Sequence, residues 1–305
     1  MLRYALTRLA SAIPTLLLVV ALAFALVHAA PGGPFDTERR LSPAMEQRLA
    51  EAYHLDEPLP QQFLRYLGGL LQGDLGPSYR YRQSDVSELI AAGLPVSLKV
   101  GGLAMLLAVV FGIAAGTLAA LRQNRTADHV VMALSMTGIS VPNFVVAPLL
   151  VLVFAVMLRW LPAGDLASPA HYVLPVIALA LPQLAYIARL TRASMIDVLK
   201  SPYIRTARAQ GLSERSIVLQ HALKPTLLPV VSYLGPATAA ILTGSVVIEQ
   251  IFNLPGLGRF FVQGALNRDY TLVMGVVVFY GVLIVLFNFV VDLLYGLLDP
   301  RVRYR

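Results

Sequence analysis

The sequence contains no cysteine. Disulfide bonds, thiolate nucleophiles and cysteine-held iron–sulfur clusters are therefore excluded. Lysine is almost as scarce: Lys99, Lys200 and Lys224 are the only ones, and each follows a leucine. A phosphate-binding loop needs a Gly-Lys step, so the chain is not itself an ATPase. The histidines, His28, His54, His129, His171 and His221, are scattered, with no His-x-x-x-His pair to hold a metal. Ser140 follows Gly138-Ile139 and precedes Val141-Pro142, which is not the glycine frame of a serine nucleophile. Charged residues make up only 13% of the chain, about half the share of a soluble domain. These absences remove the usual enzyme readings: no residue is expected to do covalent chemistry, and no metal site or bound cofactor is expected.

What is present is hydrocarbon. Hydrophobic residues make up 57% and the mean hydropathy is +0.69. Six apolar runs, Leu9–Ala30, Val96–Leu121, Val130–Leu158, Val173–Leu190, Thr226–Ile248 and Thr271–Leu298, approach or exceed the roughly 20 residues that cross a bilayer as a helix. The fold class expected is all-α, a polytopic membrane protein of six transmembrane helices. The first run has a basic start, but its apolar stretch is too long for the h-region of a signal peptide, so it reads as a retained span.

Basic residues fix the expected orientation. Arg3 and Arg8, Arg122 and Arg125, the set from Arg189 to Lys224, and Arg301, Arg303 and Arg305 all fall on one side of six spans. The positive-inside rule makes that side the cytoplasm, which places both termini there. Three segments follow: 1–30, a cytoplasmic end and first span; 31–95, an external insertion; and 96–305, a five-span core with a cytoplasmic loop at 191–224.

The insertion carries amphipathic pattern. Ser42 and Pro43 start one expected helix, with Met45, Leu49 and Ala52 on one face, and a second runs from Pro60 to Leu71. About 65 residues make a weak core alone, so the insertion is expected to lean on the spans. Tyr79 and Tyr81 are its expected contact points for a soluble partner. A charge in mid-membrane costs roughly 2.5–3.5 kcal/mol, so ion-coupled carriers keep only functional ones. Here Lys99, Glu249 and Asp292 lie near span ends, where they are expected to reach water. Asp292, Tyr295 and Asp299 share a helical face.

The loop between the fourth and fifth spans is the informative segment. A simple reversal needs a handful of residues, whereas this one reads as two short helices around a glycine. Lys200-Ser-Pro202 ends one helix and permits another from Tyr203, Gly211 suits a positive φ at its end, and Ser213 caps the next. Tyr203 to Gln210 exposes Arg205 and Arg208, with Ile204 and Ala207 as a small apolar face. Two readings stand on this spacing: a docking helix for a soluble partner, or an interfacial helix whose arginines meet lipid headgroups.

The residues themselves resemble a family. Tyr203-Ile-Arg-Thr-Ala-Arg-Ala-Gln-Gly211-Leu-Ser, followed by His221-Ala-Leu-Lys-Pro225, resembles the coupling loop of ABC importer permeases, in their peptide branch. The general form is Glu-Ala-Ala, three residues, then Gly. Counting back from Gly211 places Arg205, Thr206 and Ala207 on the triplet; the carboxylate is absent, and the Arg-Thr-Ala form is that of the peptide branch. The likeness extends through Gly69-Leu-Leu-Gln-Gly-Asp-Leu-Gly76, Glu249-Gln-Ile-Phe-Asn-Leu-Pro-Gly-Leu-Gly258, Asn267-Arg-Asp-Tyr270, Asp292-Leu-Leu-Tyr295 and Asp299-Pro-Arg301. It is nearest to B-type permease subunits of oligopeptide importers.

That resemblance implies an inner-membrane permease subunit that forms half of a peptide path. It implies a C-type permease as heterodimer partner, two ATPase subunits that hold ATP and Mg, a periplasmic peptide-binding protein and the lipid bilayer, with no nucleic acid. It assigns Tyr203, Ile204, Arg205, Thr206, Ala207, Arg208, Ala209, Gln210 and Gly211 to ATPase coupling. The hydroxyls of Ser140, Thr238, Thr243 and Ser245 are candidates to line the path, giving neutral contacts and little side-chain selectivity. A stand-alone ion-coupled carrier is the rival function, and an assembly scaffold is a second.

Overall fold

The computed structural model describes residues 2–30, 47, 53–81 and 84–298. The first expected helix of the insertion lies outside these residues except for Gln47, which is helical, and so does Asp299-Pro-Arg301. Among the described residues the regular structure is helical, with one isolated antiparallel bridge from Pro77 to Asp85. The order is α1 (Leu2–Ala29), α2 (Leu59–Leu71), α3 (Val86–Leu121), α4 (Thr126–Ser140) and α5 (Asn143–Leu150). Then come α6 (Val173–Leu199), α7 (Pro202–Ala209), α8 (Leu223–Ile251), α9 (Leu257–Leu266) and α10 (Tyr270–Leu298).

Five helical stretches are long and apolar enough to cross a membrane: Ala10–Ala29, Val86–Leu121, Pro169–Leu199, Glu214–Ile251 and Tyr270–Leu293. The expected third span is different. Instead of one helix over Val130–Leu158, α4 and the stretch Asn143–Met157 meet at a bend of 106°, and the count reaches six if the bent pair is one span. Pro142 has no N–H for the helix ladder, and Val141 before it is extended at φ −90°, ψ 119°. Beyond Pro148 the hydrogen-bond register widens to a π-helix over Val151–Met157. A proline there removes one ladder bond and strains the next turn.

Contacts group the chain into two units. One is built on Ser97–Leu254 with the two chain ends, the other on Leu9–Val96 with Pro255–Leu283. In the first unit α6 packs most extensively on α8 and α4. Its buried positions include Leu174, Ala178, Leu179, Ala185, Ile187 and Ala188, so small side chains alternate with large ones along the contact. The Gly112-x-x-x-Gly116 pair of α3 faces the same helix. A Cβ on Gly112 would lie 2.9 Å from Ile187 Cβ, and one on Gly116 would lie 2.6 Å from Thr191 Cβ and press on the Ala188 carbonyl. Without side chains the two backbones approach closely, which is how apolar helices gain dispersion contact in lipid. Gly116→Ala should therefore destabilise by roughly 1–3 kcal/mol through overpacking. Gly102→Ala on the same helix, where nothing lies within 4 Å, should be neutral or gain up to about 1 kcal/mol. Heat-induced aggregation of the detergent-solubilised chain separates them; equal midpoints for the two variants would sink the argument.

In the second unit the insertion does lean on spans. Phe63 of α2 meets the Phe24 ring of α1 edge-on at 5.3 Å, and Gln62 Oε1 faces His28 Nε2 at 3.3 Å. Leu71, at the end of α2, is 91% exposed.

Candidate functional site

The cytoplasmic loop forms from strictly local rules. α6 ends at Leu199, and Ser201, extended at φ −66°, ψ 152°, donates its hydroxyl to the Val198 carbonyl at 2.6 Å. Pro202 then starts α7, a position where a missing N–H costs nothing. At the far end Gly211 sits at φ +81°, with Gly211 N–H donating to Arg208 O at 3.0 Å and Leu212 N–H to Ala207 O at 3.3 Å. That left-handed turn satisfies carbonyls the helix leaves open. Ser213 caps the next turn, its Oγ accepting from Ser216 N–H at 3.3 Å.

The helix has two unlike sides. Ile204 is fully buried and Ala207 is 5% exposed; they pack in a cluster with Ala120, Met195, Ile217, Val218 and Ala222. Tyr203, Arg205, Thr206, Arg208, Ala209 and Gln210 are exposed. Arg208 donates to both carboxylate oxygens of Glu214 at 2.7 and 3.2 Å, spanning the glycine turn. This hydrogen bonding pushes the guanidinium pKa higher still. All nine residues of the expected coupling segment thus lie on one helix and its cap, with the apolar pair turned inward and the polar ones outward.

One ion pair behind this segment has no local signature. Asp128 of α4 is 1% exposed and takes a bidentate grip from Arg192 of α6, Nε to Oδ1 at 2.5 Å and Nη2 to Oδ2 at 2.7 Å. The Asn124 N–H adds a third bond at 2.9 Å. By its sequence context Arg192 is only one of the cytoplasmic cations. The available clue was a lone acid in a basic stretch between Arg125 and His129, but its partner is 64 residues away.

Glu249 corrects another expectation. It lies near the end of α8 as read, yet it is fully buried and accepts the Ser97 hydroxyl at 2.7 Å. The reason is the cap: Asn253 takes φ +51°, Leu254 N–H returns to Glu249 O at 2.8 Å, and Phe252 and Leu254 fold inward, each at most 1% exposed. A helix end closed by a buried cap gives its last side chains no water. Lys99 is exposed and stands 4.1 Å over the Tyr172 ring, and Asp292 is half-buried.

The four path candidates separate. Ser140 and Thr243 are exposed, Thr238 is partly buried, and Ser245 is 1% exposed. Thr238 and Thr243 donate to the carbonyls of Leu234 and Ala239 one turn back, and Ser245 to Leu242 O. These hydroxyls are satisfied within their own helix rather than across helices, a common resting state for Ser and Thr in helices.

In the second unit, the Asn267-Arg-Asp-Tyr270 motif is a junction. Asp269 caps α10, accepting from Leu272 N–H at 3.2 Å, and also receives Ser78 Oγ at 2.5 Å and the Tyr79 and Arg80 N–H groups, each at 3.2 Å. Tyr79 packs edge-on to Tyr53 at 4.7 Å, and burial, then the Asp269 charge, raise its phenol pKa. Tyr81 donates to Gln263 Oε1 at 2.5 Å. Both expected contact tyrosines are thus partly buried and engaged within this unit, and exposed Leu71 is the better handle for a cross-linker.

Residues 108–304 match the family described as binding-protein-dependent transport system inner membrane component, and residues 1–100 match its N-terminal counterpart. The chain is 50% identical to the oligopeptide transport system permease protein OppB of Haemophilus influenzae and 51% to that of Escherichia coli K12, over all of both chains. It is 46% identical to the dipeptide transport system permease protein DppB of Bacillus subtilis, over 99% of this chain and 98% of that protein. Among solved structures, the MetNI methionine ABC transporter in an inward-facing conformation shares the fold, with a TM-score of 0.58 at 17% identity, covering 70% of this chain and 97% of that one. With its apolar spans and its full-length relatives, the chain belongs to the family of binding-protein-dependent transport system inner membrane components.

Proposed function

We propose that this chain is the permease subunit of an ATP-driven importer of oligopeptides or dipeptides, forming half of the path together with a second permease. Two ATPase subunits, which hold ATP and Mg, drive it, and a periplasmic peptide-binding protein supplies it. Both termini face the cytoplasm. The observation that carries this reading is the orientation of α7. An interfacial helix buries its apolar side in the acyl boundary, but Ile204 and Ala207 are already spent on the chain's own cluster. What remains outward is a short polar surface with Tyr203 and Arg205, suited to a groove on a soluble protein.

The mechanics follow from connectivity. Ser201 joins α7 to α6, and the Gly211 turn joins it to the continuous helical stretch Glu214–Ile251 that contains α8; α6 and α8 are the two helices that pack most on each other. A push on α7 therefore acts on both, and the Asp128–Arg192 grip passes it to α4. Rigid helices turn that displacement into alternating exposure of the path.

The test is uptake of trialanine into proteoliposomes holding the assembled complex. Uptake should require ATP together with the loaded binding protein, and Arg205→Glu should cut it at least tenfold while the chain remains in the membrane. Uptake by the chain alone under a proton or sodium gradient would establish the carrier reading in its place.

A further inference from the structure

Within the second unit, the ring of His28 faces an acceptor at each nitrogen. Nδ1 lies 2.8 Å from the Phe24 carbonyl one turn back on α1, and Nε2 lies 3.3 Å from Gln62 Oε1 on α2. A carbonyl oxygen only accepts, so Nδ1 carries a hydrogen. The Gln62 amide has no freedom to reverse. Its Nε2 donates to the carbonyls of Leu55 and Glu57 at 3.1 and 2.8 Å, and a flipped amide would set its oxygen against both. Oε1 therefore points at His28, and the second ring nitrogen must donate as well. A neutral imidazole has a single N–H. The two bonds together require the imidazolium.

Two further features favour the cation. His28 stands in the last turn of α1, where the helix dipole attracts positive charge. Its ring centre lies 4.0 Å from that of Phe24 and 5.9 Å from that of Tyr270 on α10, within reach of cation–π attraction.

The surrounding groups leave this charge without a carboxylate partner among the described residues. A cavity of about 240 Å³ beside the ring is also lined by His54, Arg65, Asp74 and the phenols of Tyr53, Tyr66, Tyr79 and Tyr270. Arg65 and His54 are both taken by the Glu57 carboxylate, and Asp74 accepts the Gly76 N–H at 2.8 Å. Phenols stay neutral below about pH 9, and burial pushes those of Tyr66 and Tyr79 higher. Of these groups only His54 shares the titration range of an imidazole.

We propose that His28 is a proton-operated tie between α1 and the insertion: with its proton it clamps α2 through Gln62, and without it the clamp opens. Losing the proton sets a nitrogen lone pair against an acceptor oxygen. The bond to Phe24 is shorter and lies within one helix, so the bond to Gln62 is the one lost. Gln62 keeps Leu55 and Glu57, which belong to the insertion itself, and α2 then rests on α1 through the Phe63–Phe24 ring contact. The sign is fixed by the chemistry: the tie is complete in acid and is lost as pH rises through the titration of His28. That the insertion meets external pH rests on the permease reading with both termini cytoplasmic; the tie itself does not. An importer built this way has an outer face that loosens as its surroundings turn alkaline.

The test is hydrogen exchange read by mass on the assembled complex in vesicles, in steps from about pH 5 to about pH 8. Amide exchange across Leu59–Leu71, corrected for the intrinsic rate at each pH, should rise at least fivefold over that range. Exchange of the imidazole C2 hydrogens in the same digests reports when each histidine loses its proton, and the midpoint for α2 should match that of His28. His28→Gln, which keeps a donor but does not titrate, should make α2 exchange independent of pH. His54→Gln should leave the step in place. A step that follows His54, a step that survives in His28→Gln, or no step at all overturns the proposal. Where His28→Gln fails to assemble, the match of midpoints in the unmodified chain still decides. In sealed vesicles the step should track the pH on the face opposite the chain ends. Tracking the other face would instead defeat the orientation, and with it the permease reading, while leaving the tie intact.

Discussion

Gly211→Val should abolish peptide-stimulated ATP hydrolysis and reduce uptake at least tenfold, with the chain still inserted. Gly211 holds φ +81°, and a Cβ there would meet nothing within 4 Å. The penalty is therefore entirely one of backbone, about 1–2 kcal/mol for an L-residue in the left-handed region and more for a β-branched one. The chain escapes that strain by opening the cap, losing the bonds from Gly211 N–H to Arg208 O and from Leu212 N–H to Ala207 O. The end of α7 and the Arg208–Glu214 bridge then lose their fixed direction. Gly211→Asn, which tolerates the left-handed region, should keep most activity. Normal ATPase stimulation in the Val variant, or equal loss in Val and Asn, would defeat this account.

Asp269→Ala should have the largest effect on stability, roughly 4 kcal/mol, and leave little folded second unit. The fully buried carboxylate collects Ser78 Oγ, Thr271 Oγ1 and the N–H groups of Tyr79, Arg80 and Leu272. Alanine removes the acceptor of Ser78 Oγ and of the Tyr79 and Leu272 N–H groups, at about 1–3 kcal/mol for each one that stays buried, whereas Thr271 Oγ1 keeps the Pro77 carbonyl and Arg80 N–H keeps Ser78 Oγ. It also removes the cap of α10, typically worth about 1 kcal/mol. Asp269→Asn keeps one oxygen but turns an N–H₂ toward donors, so it should fall between alanine and the parent. Protease nicking between Gly73 and Tyr81 in membrane vesicles reads the outcome. A digestion rate unchanged in the alanine variant would show that the junction contributes nothing.

Features set by neighbours along the chain were legible from residues alone. The Tyr203–Gln210 helix with its Gly211 end came from Pro at a start, Gly at a stop and apolar residues three apart, all effects within one or two turns. The second insertion helix, expected from Pro60 to Leu71 and found as Leu59–Leu71, came from the same kind of pattern. The break at Pro142 was visible as a residue but not as an angle. A proline guarantees a missing bond, whereas the 106° depends on what packs against each arm.

The sequence by itself determined the class, the apolar spans and the register of the loop that leaves the membrane, because hydrophobic mass and helix punctuation act locally. Only the tertiary structure decided that Ile204 and Ala207 face the chain rather than lipid, since a helical stripe shows which residues share a side and not what covers it. Only it buried Glu249, paired Asp128 with Arg192 and stacked Tyr186 on Tyr233. Each of those depends on where distant helices cross, and a side chain's partner across such a crossing leaves no trace in the residues beside it.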